Sequence, residues 1–198
     1  AGLYYLGAAM PLNERAFYIL SKKIKFMSPD DFKGKRIAGS PPYFAFFKGL
    51  GSIPQTISGL KDYFSLMERG IIDAHIATFS VFLAVGTYEI GKYMIDHTFF
   101  NQVQILIMNL KKWNSLPKHL QDTMNETMVE LETSMPPVWN KMQQIDRAKL
   151  IKGGIEFYKL PPDVAKWYLN TSIEASWKEA EGRHPAKLVD GYKKYLRR

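Results

Sequence analysis

An α/β fold is predicted by three blocks of this sequence. Residues 62–92, DYFSLMERGIIDAHIATFSVFLAVGTYEIGK, place an aromatic-faced helix, a Gly-Ile-Ile-Asp turn into a short strand, and a second helix closed by Tyr88-Glu89-Ile90 in one gapless unit. Upstream, Pro29-Asp30-Asp31-Phe32-Lys33-Gly34-Lys35 leads into a strand, and downstream Trp113-Asn114-Ser115-Leu116-Pro117 leads into a long helix. Strands alternating with helices in this order imply a largely parallel sheet whose carboxyl ends are free for a ligand.

Each element follows from local chemistry. The stretch KRIAGS around Ile37 reads as a short strand after the Asp30/Asp31 turn, and Pro41-Pro42 then starts a helix carrying Tyr43, Phe44, Phe46 and Phe47. Ser58 is the expected N-cap of the next helix, which sets Leu60, Tyr63, Phe64 and Met67 on one face and stops before Gly70. Residues 71–76 are short, β-branched and bounded by Gly70, so a strand is predicted there, and Val81, Ala84, Val85 and Tyr88 share a face of the helix beyond. Residues 99–109, FFNQVQILIMN, are nearly continuous in apolar and amide side chains, the pattern of a strand buried on both faces. Leu120, Met124, Met128, Leu131 and Met135 recur at helical spacing after Ser115 and Pro117, and Pro136-Pro137 is expected to kink or restart that helix. Gly153-Gly154 ends it. Residues 155–160 alternate like a half-buried strand, and Pro161-Pro162-Asp163 opens a final helical region with Trp167, Ile173 and Trp177.

Composition narrows the function. The chain has 198 residues, 46% hydrophobic and 23% charged, which is enough to bury a core. Its formal charge of +8 is spread along the chain, and the densest basic clusters, Lys22/Lys23/Lys25 and Lys193/Lys194/Arg197/Arg198, are short. A solvated surface is the first reading of that charge, and nucleic acid is not an expected partner. A basic module binding an anionic polymer or membrane surface is the alternative function. With no cysteine, a disulfide framework, a thiolate metal site and a cysteine nucleophile are excluded. His75, His97, His119 and His184 lack metal-ligand spacing, and GxSxG, GxGxxG and GxxxxGK[ST] motifs are absent, so neither an enzyme nor a cofactor or metal site is expected. The Asp30/Asp31 pair reads as turn and cap chemistry, and Gly49-Leu50-Gly51-Ser52 as a helix end. No apolar stretch approaches the roughly 20 residues needed to span a bilayer.

Aromatic side chains cluster near the predicted strand-to-helix junctions. Core packing accounts for most of them, and Tyr43, His75 and Phe79 are the best placed to line a pocket at strand ends.

From residue 2 to about residue 185, the three blocks resemble the solute-binding protein family of tripartite ATP-independent periplasmic (TRAP) transporters. The resemblance implies a periplasmic-binding-protein-like, type II-like, two-lobed α/β fold that closes around a small organic acid and delivers it to membrane permease subunits. It implies one largely complete lobe over residues 11–100, a hinge strand and helix of a second, partial lobe over 101–135, and a long-helix continuation with carboxyl-terminal helices over 136–198. Family members are roughly half again as long, so the chain is expected to be a carboxyl-terminal fragment whose exposed apolar surface favours self-association. Periplasmic localisation follows from the same resemblance.

The resemblance also places the ligand contacts. The family's carboxylate-binding arginine falls at Ala38, with Ser40 just beyond it, and Arg36 points to the same side of the strand one pleat further from its end. The family's Glu-Asn pair after a Val-Asp-Gly turn falls at Ile76-Ala77, and Leu60 stands where some members stack an aromatic ring. Arg15 is the remaining expected cation. The implied ligand-binding residues are therefore Arg15, Ala38, Ser40, Tyr43, Leu60, His75, Ala77, Phe79 and Thr98. They describe a ligand held by aromatic walls and hydrogen bonds from Tyr43, His75 and Thr98, because burying a carboxylate without a cation costs several kcal/mol.

Overall fold

A computed structural model describes residues 2–10, 16–101 and 103–196. Strand β1 (Leu3–Met10) is followed by β2 (Ala16–Ser21), helix α1 (Pro29–Phe32) and β3 (Arg36–Ala38). A 3-10 turn at Pro41–Tyr43 runs into α2 (Phe44–Gly49), then come β4 (Ile53–Gln55), α3 (Asp62–Glu68), β5 (Ala74–Ala77) and α4 (Phe79–Ala84). After β6 (Tyr93–Ile95), β7 (Phe100–Asn101) and β8 (Gln104–Asn109), the chain is mostly helical: α5 (Leu110–Asn114), α6 (Lys118–Lys152), strand β9 (Glu156–Tyr158), α7 (Pro162–Arg183) and α8 (Ala186–Leu196).

Two sheets form among the described residues. The larger has the order β4-β3-β5-β2-β6-β9, with β7 pairing the start of β2. Strand β3 is parallel to β4 and β5, and β6 is parallel to β9, while β2 runs antiparallel to both β5 and β6. The carboxyl ends of five strands, at Ala38, Gln55, Ala77, Ile95 and Tyr158, thus share one edge with the amino end of β2 at Ala16. From that same edge the chain passes to the smaller sheet, where β1 and β8 pair antiparallel.

The period-two alternation of β2 divides the core. Ile19 faces a cluster with Phe26, Phe32, Phe46, Phe47 and Tyr168, and Leu20 faces another with Tyr63, Met67, Phe82, Met94 and Leu150. Helix α7 covers the first face and the end of α6 the second. Each fully buried Phe, Leu or Ile contributes about 1.5–3 kcal/mol.

The opposite, amino-terminal end of the sheet is tied by charge. Arg36 donates from Nε to Asp73 Oδ2 at 3.1 Å and from Nη2 to Oδ1 at 3.0 Å, and its backbone N–H reaches Oδ2 at 2.8 Å. Burial alone would raise the Asp73 carboxyl, but the hydrogen bonds and charge of Arg36 outweigh it and hold the group below the usual carboxylate range. The Asp30/Asp31 pair is cap chemistry, as its position suggests: Asp31 Oδ2 accepts from the backbone N–H groups of Met27 at 2.8 Å and Ser28 at 2.7 Å, which lowers its carboxyl.

Three sequence expectations need correction. Residues 99–109 are not one strand buried on both faces: β7 joins the large sheet, β8 joins the small one, and Ile105, Leu106 and Ile107 are exposed. One face of the small sheet lies on α6, where Tyr4 Oη donates to Asn125 Oδ1 at 3.2 Å, and Tyr4 also stacks on Trp113 of α5 at 3.8 Å, whereas Tyr5 (57% exposed) and its cross-strand partner Ile107 (51%) are bare. Pro136-Pro137 does not restart the long helix, since α6 runs unbroken through both prolines for 35 residues. Ser58 does not cap α3, whose cap position is Lys61; instead Asp62 Oδ2 accepts from Gly59 N–H at 3.1 Å, and Leu60 lies exposed outside the helix.

Candidate functional site

Three loops meet at the carboxyl edge of the large sheet. After β3, Gly39 donates its N–H to Gln55 O at 3.1 Å, and Ser40 leads into the turn that carries Tyr43. A Cβ on Gly39 would stand 3.0 Å from Ile76 and 3.1 Å from Phe47, closer than ordinary van der Waals contact, so a larger residue there would press on both side chains. After β5, Thr78 precedes α4, and its Oγ1 lies 3.1 Å from Ser80 Oγ. After β6, Asp96 donates its N–H to Tyr158 O at 2.7 Å, Thr98 Oγ1 donates to Phe100 O at 3.1 Å, and Ser172 on α7 holds Phe99 O at 2.8 Å.

Aromatic rings wall this edge on both faces. Tyr43 packs at 5.3 Å on Phe17 and edge-on at 5.0 Å to Phe100, and its partial burial raises the phenol, leaving a neutral hydroxyl at physiological pH. Phe79 stacks on Tyr18 at 4.3 Å and meets Phe157 edge-on at 5.6 Å. Because Phe17 and Tyr18 point to opposite faces of β2, Tyr43 and Phe79 flank the sheet rather than face each other.

Helix α6 adds groups that the sequence reading missed. Trp139, Met142, Gln143 and Asp146 close a cavity of about 50 Å³ against Ala16, Thr78, Phe79 and Ser80. Trp139 Nε1 is buried there with no hydrogen-bond partner among the described residues, a donor available to an acceptor atom. Two turns on from Trp139, Arg147 is committed: it binds Asp96 through both terminal nitrogens and lies 3.9 Å over the Phe157 ring. The signal for Thr78 and Ser80 was present in the sequence as hydroxyls directly after a strand. Trp139, far along the helix, gave none.

The expected site residues separate into groups. Tyr43 and Thr98 lie at the edge half-buried, Ser40 is exposed there, and Phe79 stands there buried against Tyr18. Ala38 and Ala77 end their strands at this edge, with their side chains in the apolar cluster beneath it. Leu60 is exposed in the loop between β4 and α3, and Arg15 lies outside the described residues. His75 is in the core rather than at an open surface. Its ring stacks on Tyr63 at 4.3 Å and meets Phe82 edge-on at 4.9 Å, its Nε2 pairs with Thr87 Oγ1 at 2.9 Å, and burial lowers its pKa to about 3. The residue is second in β5, so its side chain points into the sheet's covered face and not past the strand end.

Larger cavities lie elsewhere. A groove of about 980 Å³ between α2 and α7 is floored by Phe44, Ala45, Trp167 and Ala175, and Lys22, Lys23 and Arg69 rim a hollow of about 290 Å³ at the opposite end of the sheet.

Two sheets that meet at a strand-end edge, with α6 packed against both, define a two-lobed α/β fold of the periplasmic-binding type. The sequence matches the model of DctP, bacterial extracellular solute-binding protein, family 7, over residues 9–182, and the chain belongs to that family. Members bind solutes rather than transform them. An uncharacterised protein of Haemophilus influenzae is 27% identical over 165 residues, covering 82% of this chain and 50% of that protein. Among solved structures, a TRAP periplasmic solute-binding protein of Desulfovibrio salexigens with bound orotic acid superposes with a TM-score of 0.82 at 16% identity, covering 98% of this chain and 61% of its own. A Bordetella pertussis extracytoplasmic solute receptor binding pyroglutamic acid gives 0.80 at 18%, covering 97% and 63%. The chain therefore spans about half to three fifths of the length of these relatives.

Proposed function

We propose that this chain is part of the extracytoplasmic solute-binding component of a TRAP-type transporter. The component works in the periplasm, captures a small organic ligand between two lobes and hands it to membrane permease subunits. One observation carries the reading: both passages between the sheets, from Met10 to Ala16 and from Asn101 to Gln104, leave from the strand-end edge where Tyr43, Phe79, Thr78 and Ser80 gather. Closure of the two lobes would enclose a ligand at that edge.

The ligand class follows from the groups present. Aromatic faces at Tyr43 and Phe79 and hydroxyls at Ser40, Thr78, Ser80 and Thr98 suit a planar or largely apolar organic acid, and the orotic and pyroglutamic acids held by the two solved neighbours support that class. Strand β3 offers Ala38 in place of a guanidinium, so any carboxylate needs a cation from elsewhere, and Arg15, which directly precedes β2 in sequence, is the candidate. A thermal-shift screen of small organic and aromatic acids against the full-length protein tests the proposal: a ligand at about 100 times its Kd adds roughly 2.7 kcal/mol to the folded state. Silence across a broad panel would contradict it.

A further inference from the structure

The carboxyl-terminal helix α8 has a face that the binding fold does not use. It lies beyond residue 182, where the family match ends. Val189 is buried against α7, and Lys193 pairs with Glu181 and sits 5.7 Å over the Trp177 ring, so α8 is held in place on its inner side. On the outer side, Leu188, Tyr192 and Tyr195 recur at i, i+4 and i+7 and are 47%, 54% and 68% exposed. Lys187 and Lys194, seven residues apart and also exposed, run beside that stripe, and neither has an ion-pair partner among the described residues. Asp190 is the one acid on the helix, and Arg197 and Arg198 follow it in sequence.

We infer that α8 docks on an anionic phospholipid surface. An apolar stripe flanked by lysines is the pattern of a helix lying in the interfacial plane: leucine enters the headgroup boundary, tyrosines sit at its depth with their hydroxyls in water, and the lysines meet lipid phosphates. Charge complementarity selects the partner, since two exposed lysines run along the stripe against a single acid, Asp190, which lies between them at helical spacing. Helix α8 lies on such a surface and does not cross it, because no helix among the described residues is long and apolar enough to span a membrane. Such docking would hold a solute-binding protein close to a membrane-embedded partner, yet it stands on α8 alone and does not depend on what the cleft binds.

Vesicle cosedimentation of the full chain tests it. Wild-type protein is expected to pellet with phosphatidylglycerol-containing vesicles in low salt, to stay in solution with pure phosphatidylcholine, and to be released in high salt. Leu188→Ser/Tyr192→Ser/Tyr195→Ser and, separately, Lys187→Glu/Lys194→Glu should each weaken binding by about tenfold or more, with circular-dichroism melts and any ligand-induced thermal shift unchanged because Val189 still anchors the helix. Failure to pellet with phosphatidylglycerol in low salt would overturn the inference. So would binding that survives the triple serine variant and is competed fully by heparin, since that is charge attraction to any polyanion without apolar insertion.

Discussion

Arg147 on α6 meets Asp96, just beyond the end of β6, with its two terminal nitrogens each 2.8 Å from a carboxylate oxygen. The guanidinium plane also covers the Phe157 ring at 3.9 Å, so one side chain ties the long helix to two strands of the large sheet. Only a planar fork can make both contacts at once. The two side chains are 34% and 25% exposed, so solvent screens part of the attraction. Arg147→Ala is expected to cost about 1–2 kcal/mol in urea unfolding, Arg147→Lys to recover less than half of it, and a double-mutant cycle with Asp96→Asn to show coupling of about 1 kcal/mol.

His75 gives stability a pH dependence with a definite sign. Its pKa is about 3 in the folded chain and 6.5 as a free side chain, so below pH 6.5 the unfolded state binds the extra proton. Stability is full above that point and falls as the medium is acidified, by about 1 kcal/mol per pH unit between roughly pH 6 and pH 4. Asp31 and Asp73, whose carboxyls are held low, add their own loss only nearer pH 4 and below. Unfolding free energies measured across this range should show the early slope in wild type and lose it in His75→Gln.

Ala38 tests whether the missing guanidinium can simply be restored. The side chain is fully buried in the cluster with Leu20, Met67, Phe79 and Met94. Ala38→Arg should therefore cost about 3–5 kcal/mol, the penalty of a buried, unpaired charge, and yield no gain in organic-acid affinity. A stable variant with tighter acid binding would show that the strand end opens to the cleft in solution.

Gly91 marks a close approach just before the start of β6, against Leu20 of β2. A Cβ there would lie 2.8 Å from both terminal methyl carbons of Leu20, which has no exposure and nowhere to move. Gly91→Ala is expected to lower stability by about 1–3 kcal/mol. Gly182→Ala, on α7 with nothing within 4 Å, should raise it by up to about 1 kcal/mol.

Much of the large sheet could be read from sequence because its signals are local. The Asp30/Asp31 cap, the Pro41-Pro42 helix start, the Gly70-bounded strand and the Gly153-Gly154 helix end each rest on a few adjacent residues. Strands β4 and β6 escaped because three residues are too few for a period to show, and β1 and β2 because no turn residue brackets them as clearly as Gly70 brackets β5. Residues 99–109 look like one buried strand because an apolar run does not reveal which sheet each half will join. Ile107 pairs with Tyr5 on a face that none of the described residues covers. The site was less legible. His75 was one pleat too early in its strand to reach the edge, the hydroxyls of Thr78 and Ser80 were passed over, and Trp139 came from a helix 60 residues further along the chain.

The central claim is that the strand-end edge holds a small organic ligand. Calorimetric titration of the full-length protein with the best acid from a thermal screen, compared with Tyr43→Ala and Phe79→Ala, tests it most directly. One saturable site per chain is predicted, with affinity at least about tenfold weaker in each variant, as expected when an aromatic wall is removed. Unchanged affinity in both folded variants, or no binding to any acid tried, would contradict it.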